Sequence, residues 1–109
     1  MAPERVCLVV SLWIKGTDVA GFEAFERAAA AIMSNYGGNV EQVVRCSGVE
    51  GSPFEVHIVT FPSTQALQEY RDDPRLVELR PLRERVIART EIWPGTRRQA
   101  ASSQDDASG

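Results

Sequence analysis

The chain has 109 residues, 43% hydrophobic and 25% charged, with a formal net charge of -3. That length holds one domain, burying about 60–65% of its unfolded surface, and the composition is globular rather than disordered. The acidic balance argues against a generic polyanion binder, and the longest apolar run, residues 6–14, is far short of the roughly 20 residues a bilayer helix needs. Neither nucleic acid nor a membrane is therefore expected as a partner.

The N-terminal residues Met1 to Arg5 lead straight into a strand-like segment with no basic cluster, apolar stretch or cleavage site, so no secretory leader is expected and the default location is cytoplasmic. Val6 to Ile14 is a β-rich run with apolar side chains on both alternation phases, the pattern of a strand covered on both sides. Lys15-Gly16-Thr17-Asp18 is a turn, with Thr17 or Asp18 able to cap a helix. Phe22, Phe25, Ala29, Ile32, Met33 and Tyr36 then form one helical stripe, with Glu23, Glu26, Arg27 and Ser34 facing elsewhere. Gly37-Gly38 ends that helix.

Val40 to Cys46 reads as a second strand, with Val40, Gln42, Val44 and Cys46 on one face and Glu41, Val43 and Arg45 on the other. A Gly48- and Gly51-containing loop follows, and Phe54 to Phe61 returns as strand three of an antiparallel hairpin. Ser63 is placed to cap a helix that buries Ala66, Leu67 and Tyr70 and stops before Asp73-Pro74. A helical stretch from Arg75 to about Val86 carries Leu76, Leu79, Leu82 and Val86 inward, bent or broken at Pro81. Ile87 to Trp93 is strand four, so residues 1–95 form the domain, and residues 96–109, a polar tail without bulky apolar side chains, are expected to be disordered. The two cysteines, Cys7 and Cys46, lie far apart inside strands, as free thiols rather than a disulfide framework.

The order βαββαβ specifies an α+β, ferredoxin-like fold, a four-stranded antiparallel sheet with its helices on one face. Strand one nevertheless offers Val6, Leu8, Val10 and Leu12 to one side and Cys7, Val9 and Trp13 to the other. Exposing several such side chains forgoes about 1.5–3 kcal/mol each, and a contiguous apolar patch marks an interface. A second copy is the simplest cover, so a homodimer is expected.

With Thr17-Asp18 before helix one, Tyr36-Gly37-Gly38 after it, Phe61-Pro62-Ser63 after strand three, then Asp73-Pro74, Pro81-Leu82-Arg83 and Gly95, the chain resembles the dimeric α/β-barrel superfamily. That superfamily includes antibiotic-biosynthesis monooxygenases, muconolactone isomerase and polyketide cyclases, and the likeness is greatest to a bacterial branch known as a domain of unknown function. The resemblance implies a dimeric α/β barrel and a cofactor-free cyclase, isomerase or monooxygenase acting on a largely apolar, aromatic or polyketide-like molecule. Three positions depart from the branch: Thr60 stands where it carries an acid, Phe25 where it carries a tyrosine and Leu76 where it carries an aromatic residue. Arg83 is kept.

His57, the only histidine, has the near-neutral pKa of a general acid or base. Its alternation phase, shared with Glu55 and opposite to Phe54, Val56 and Ile58, places it on the dimer-facing side of the sheet, where Arg45 on the neighbouring strand is able to bind an anion beside it. A structural or solvent-facing imidazole is the competing reading. Arg83, on the inner side of the last helix, is the second catalytic candidate, holding a carboxylate or phenolate, against a plain salt bridge. Trp13, Tyr70 and Trp93, with Arg45, are the candidate substrate-binding residues, against a purely structural role. No metal is expected, because one histidine and two separated cysteines do not converge as ligands, and no cofactor is expected. Eight arginines face five acids between Arg71 and Arg98, but without interleaved stacking aromatics they make no nucleic-acid site.

Overall fold

Val6–Ile14 forms β1, the strand on which the molecule is built. In the computed structural model, which describes residues 5–101, β1 pairs antiparallel with β3 (Glu55–Phe61) on one side and with β4 (Ile87–Gly95) on the other. The remaining strand, β2 (Asn39–Arg45), pairs antiparallel with β3, giving the sheet order β2-β3-β1-β4. This is the ferredoxin-like α+β arrangement expected from the order of elements. The leader reading at residues 1–4 and the tail reading at residues 102–109 lie outside the described residues. Residues 96–101 carry no regular secondary structure, yet Arg97 pairs with Glu41, which also accepts a 2.5 Å hydrogen bond from the Thr60 hydroxyl.

The helices start and stop where side-chain chemistry satisfies their free backbone groups. Asp18 caps α1 (Val19–Ser34) by accepting from the Gly21 amide at 2.8 Å, Ser63 caps α2 (Thr64–Arg71) through Ala66 at 3.1 Å, and Asp73 caps α3 (Pro74–Glu78) through Arg75 at 2.8 Å. After α1 the chain reverses at Gly37, with φ 74°, a conformation costly for residues with a Cβ. The stretch expected to bend or break at Pro81 is two helices, parted at Leu79. After α3 the chain restarts as α4 (Arg80–Val86), with Pro81 in its first turn, where a proline lacks only an N–H that would be unpaired anyway.

All four helices lie on one face of the sheet. There Leu8, Val59 and Phe61 pack against Met33, Ala66 and Leu67, and Leu12 packs against Phe22, Phe25, Ala29, Val86 and Ile87. Phe22 meets Phe54 edge to face at 5.1 Å. The stripe read from α1 is the buried one: Phe22, Phe25, Ala29, Ile32 and Met33. The opposite face carries Val9, Val56 and Ile58 and has no helix over it among the described residues, and on it Trp93 remains 59% and Val44 53% exposed.

The pattern read from β2 is corrected by a register shift between Val40 and Gln42. An extra residue in one strand of a pair inverts the alternation beyond it. Val40 and Val43 therefore both face the helices, beside Val59 and His57, and not opposite sides. Among the described residues no helix is long and apolar enough to cross a membrane.

Candidate active site

Between α1 and the sheet lies a cavity of about 360 Å³. Its walls are Leu8 and Val10 of β1, Phe25 and Met33 of α1, and Val59 and Phe61 of β3, with Tyr70 and Arg71 of α2 at its edge. A carboxylate and an imidazole break this apolar surface, Glu26 and His57.

Their meeting follows from local geometry. Glu55 and His57 are two residues apart on β3, so they project to the same side, and His57 sits at the centre of the sheet, between Val10 of β1 and Val43 of β2. Glu26 descends from α1, one turn beyond Phe22. The His57 Nε2 lies 2.7 Å from Glu26 Oε2 and 2.9 Å from Glu55 Oε1. Arg45, directly across the ladder from Glu55, donates to Glu55 Oε2 from Nε at 2.9 Å and again from Nη2, and bridges to Glu23 of α1 at 3.0 Å. Its guanidinium stacks 4.5 Å above the Phe54 ring.

Buried ionised groups persist only when paired and hydrogen-bonded, and in this cluster the carboxylates of Glu23, Glu26 and Glu55 are partnered by Arg45 and His57. Burial pushes the Glu55 carboxyl up, but contacts with Glu26, His57 and Arg45 outweigh it and hold the group at about 2. Burial raises Glu26 above the usual carboxylate range, and the neighbouring Glu55 adds to this against the opposing pull of His57. For His57, burial works against the charged ring, yet hydrogen bonds to Glu26 and Glu55 prevail and raise its pKa. Glu55 is thus held ionised, while the pKa values of Glu26 and His57 are both raised. Tyr70, its hydroxyl pKa raised by burial against the opposing charges of Arg71 and Arg83, completes the polar edge of the cavity.

The sequence reading is corrected at several of these positions. His57 is on the helix-covered side and 7% exposed, not on the open side. The face of β3 is decided by Val59 and Phe61, which fill the core under α1 and α2, so Glu55 and His57 go with them and Val56 and Ile58 turn outward. Tyr70 lines the edge of the cavity. Arg45 does not line it but holds Glu55. Trp13 and Trp93 lie on the other side of the sheet. Trp13 donates to the Gly51 carbonyl at 3.1 Å beneath the Arg89 guanidinium, and Trp93 is exposed. Arg83 is exposed on α4, donating to the Thr90 hydroxyl at 2.9 Å, because the inward positions of this segment belong to Leu79, Leu82 and Val86.

Glu26 and Glu55 were missed. Glu26 is four residues after Phe22 and three before Ala29, the spacing of a shared helix face, and that signal places it on the flank of the buried stripe. The count of possible metal ligands, restricted to histidine and cysteine, also needs correction. Glu26, Glu55 and His57 each bring one donor atom within 4.8 Å of the others.

The chain matches no family model and no curated protein. Solved structures resemble it in fold. A protein of unknown function from Rhodopseudomonas palustris, RPA0582, is 15% identical over 88% of this chain and 84% of its own, with a TM-score of 0.72. SnoaB, a cofactor-independent oxygenase from Streptomyces nogalater, is 18% identical over 89% of this chain and 96% of its own, with a TM-score of 0.67. A dimeric protein of unknown function and ferredoxin-like fold from Bacteroides fragilis is 10% identical over 87% and 98%, with a TM-score of 0.62.

Proposed function

We propose that the protein is a cofactor-independent enzyme, of the cyclase, isomerase or monooxygenase kind, that moves a proton on a small, largely apolar molecule bound between α1 and the sheet. The observation that carries this reading is the Glu26–His57 pair set in the wall of an otherwise apolar cavity, with Glu55 and Arg45 behind it. A volume of about 360 Å³ suits a molecule of a few fused rings, in keeping with an aromatic or polyketide-like substrate. Withdrawal of a proton from an acidic C–H or O–H opens each of the three reaction types. The apolar surroundings strengthen the electrostatic interactions that stabilise the resulting anion.

In this scheme Glu55, pinned by Arg45, orients the ring through Nε2, and the Glu26–His57 pair accepts the substrate proton and returns it. Tyr70 donates a hydrogen bond to the developing oxyanion. The uncovered sheet face closes against a second copy, placing Val9, Val44, Val56, Ile58 and Trp93 in a homodimer interface. The dimeric neighbour of the same fold supports that arrangement.

The test is hydrogen exchange. Aromatic 1,3-diketones and hydroxyaromatics are incubated with the protein in D2O and their deuterium content is followed by mass spectrometry. Catalysed exchange that falls in Glu26→Gln and His57→Gln supports the assignment. A second reading, a dimer that binds a metabolite without converting it, is favoured by Phe25, which presents an apolar ring to the cavity where the resemblance leads one to expect a tyrosine. Saturable binding with neither exchange nor product would establish that reading instead.

A further inference from the structure

We propose that Glu26, Glu55 and His57 form a binding site for one divalent transition-metal ion of the zinc class, and that the bound ion silences the proton transfer assigned to the same side chains. The silencing rests on the function proposed above; the binding stands on geometry alone.

Three donor atoms within 4.8 Å of one another is the convergence such an ion requires. Zinc takes imidazole nitrogen and carboxylate oxygen at about 2.0–2.2 Å in a tetrahedron, which sets its ligand atoms about 3.3 Å apart. In the hydrogen-bonded cluster Nε2 is 2.7 and 2.9 Å from its two oxygens, so an entering ion has to spread each contact by only about half an ångström. Glu26 is free to give, since it hangs from the side of a helix with its side chain 20% exposed, while Glu55 and His57 stay seated in the sheet at 3% and 7%.

The two oxygens of Glu55 are already divided between tasks. Oε1 faces His57, whereas Oε2 is held by Arg45. An ion taken by Oε1 leaves the Arg45 contact in place, and that contact becomes the outer-sphere support that fixes a ligand carboxylate. One nitrogen and two carboxylate oxygens suit zinc, manganese or ferrous iron, not soft cuprous copper. Two carboxylates against one guanidinium leave a net negative charge for the cation once the ring is neutral. Because Glu26 and His57 border the cavity, the fourth ligand position opens onto it, where a water or an anionic molecule completes the sphere. The ion then occupies the ring nitrogen and the carboxylate oxygens that would otherwise exchange the proton.

The test uses chelator-treated protein titrated with zinc chloride, followed by calorimetry and by imidazole 1H–15N spectra. His57 is the only histidine, so its ring signals report on this site even if Cys7 or Cys46 also takes zinc. The expected result is a His57 shift complete at one ion per chain, an affinity weakened roughly tenfold or more in Glu26→Gln, and an unchanged affinity in Glu41→Gln, a variant on the opposite sheet face. Zinc that leaves the ring signals unmoved, or that binds Glu26→Gln as tightly as the native chain, overturns the proposal. Should zinc bind as described while no compound exchanges deuterium, the metal site stands and the enzymatic reading falls. Exchange that continues unchanged in the zinc-saturated protein overturns the silencing.

Discussion

His57 Nε2 stands 2.7 Å from Glu26 Oε2, and this one contact ties the middle of β3 to the middle of α1 across the face that bounds the cavity. Its consequences are measurable in stability as well as in chemistry.

The cluster gives stability a pH signature. The His57 pKa is raised above its ordinary 6.5, so its contribution is fully present below that value and lost as pH rises through the folded-state pKa. Glu55, held at about 2 against an ordinary 4.5, contributes fully above 4.5 and loses that contribution as pH falls toward 2. The stability difference between the native chain and a His57→Gln, Glu55→Gln double variant should therefore be largest between these two ordinary values and shrink on either side. Urea denaturation across the range measures it, and a difference independent of pH would show that the cluster does not titrate as described.

Phe22 is fully buried between α1 and the sheet, edge to face with Phe54. Truncation to alanine removes its burial and leaves a void, so Phe22→Ala should cost about 3–5 kcal/mol. The denaturant midpoint should fall at an unchanged slope.

Gly38 has no room for a side chain. A Cβ there would collide with the Met33 side chain and approach Phe61 Cε1 at 2.6 Å, both members of the core under α1. Gly38→Ala should destabilise by about 1–3 kcal/mol through overpacking, whereas at Gly95, with no atom near its added Cβ, the same change should be close to neutral. Thermal unfolding of the two variants compares them directly.

Trp93 is 59% exposed in the single chain, on the same face as Val9 and Ile58. If that face is the dimer seam, the native protein should sediment at twice its 12.0 kDa chain mass. Trp93→Asp should shift it toward the monomer without unfolding it, since the substitution leaves both core clusters untouched. A native chain that sediments as a monomer at micromolar concentration would remove the interface.

Much of the fold is legible in the chain itself, through signals that are local. The capping residues Asp18, Ser63 and Asp73 mark helix starts because the first turn of any helix has unpaired amides to satisfy. The stripe from Phe22 to Met33 marks a buried face because its spacing matches the helical repeat. The order of these elements then leaves little choice of topology.

Which side of each strand is covered is settled by contacts between elements far apart in the chain. Alternation states that Glu55 and His57 share a face but not that α1 lies above it, and Val56 and Ile58 look equally fit for the core. The choice falls to Val59 and Phe61, at the far end of the same strand, which fill the space beneath α1 and α2 and carry the two polar residues in with them. The register shift in β2 inverts its pattern by the same kind of distant constraint. Glu26 stays hidden for a related reason: a carboxylate beside an apolar stripe looks like a solvated flank until packing brings a histidine from another element to meet it. A strand's period fixes relative orientation, and only the packing of the whole chain fixes absolute orientation.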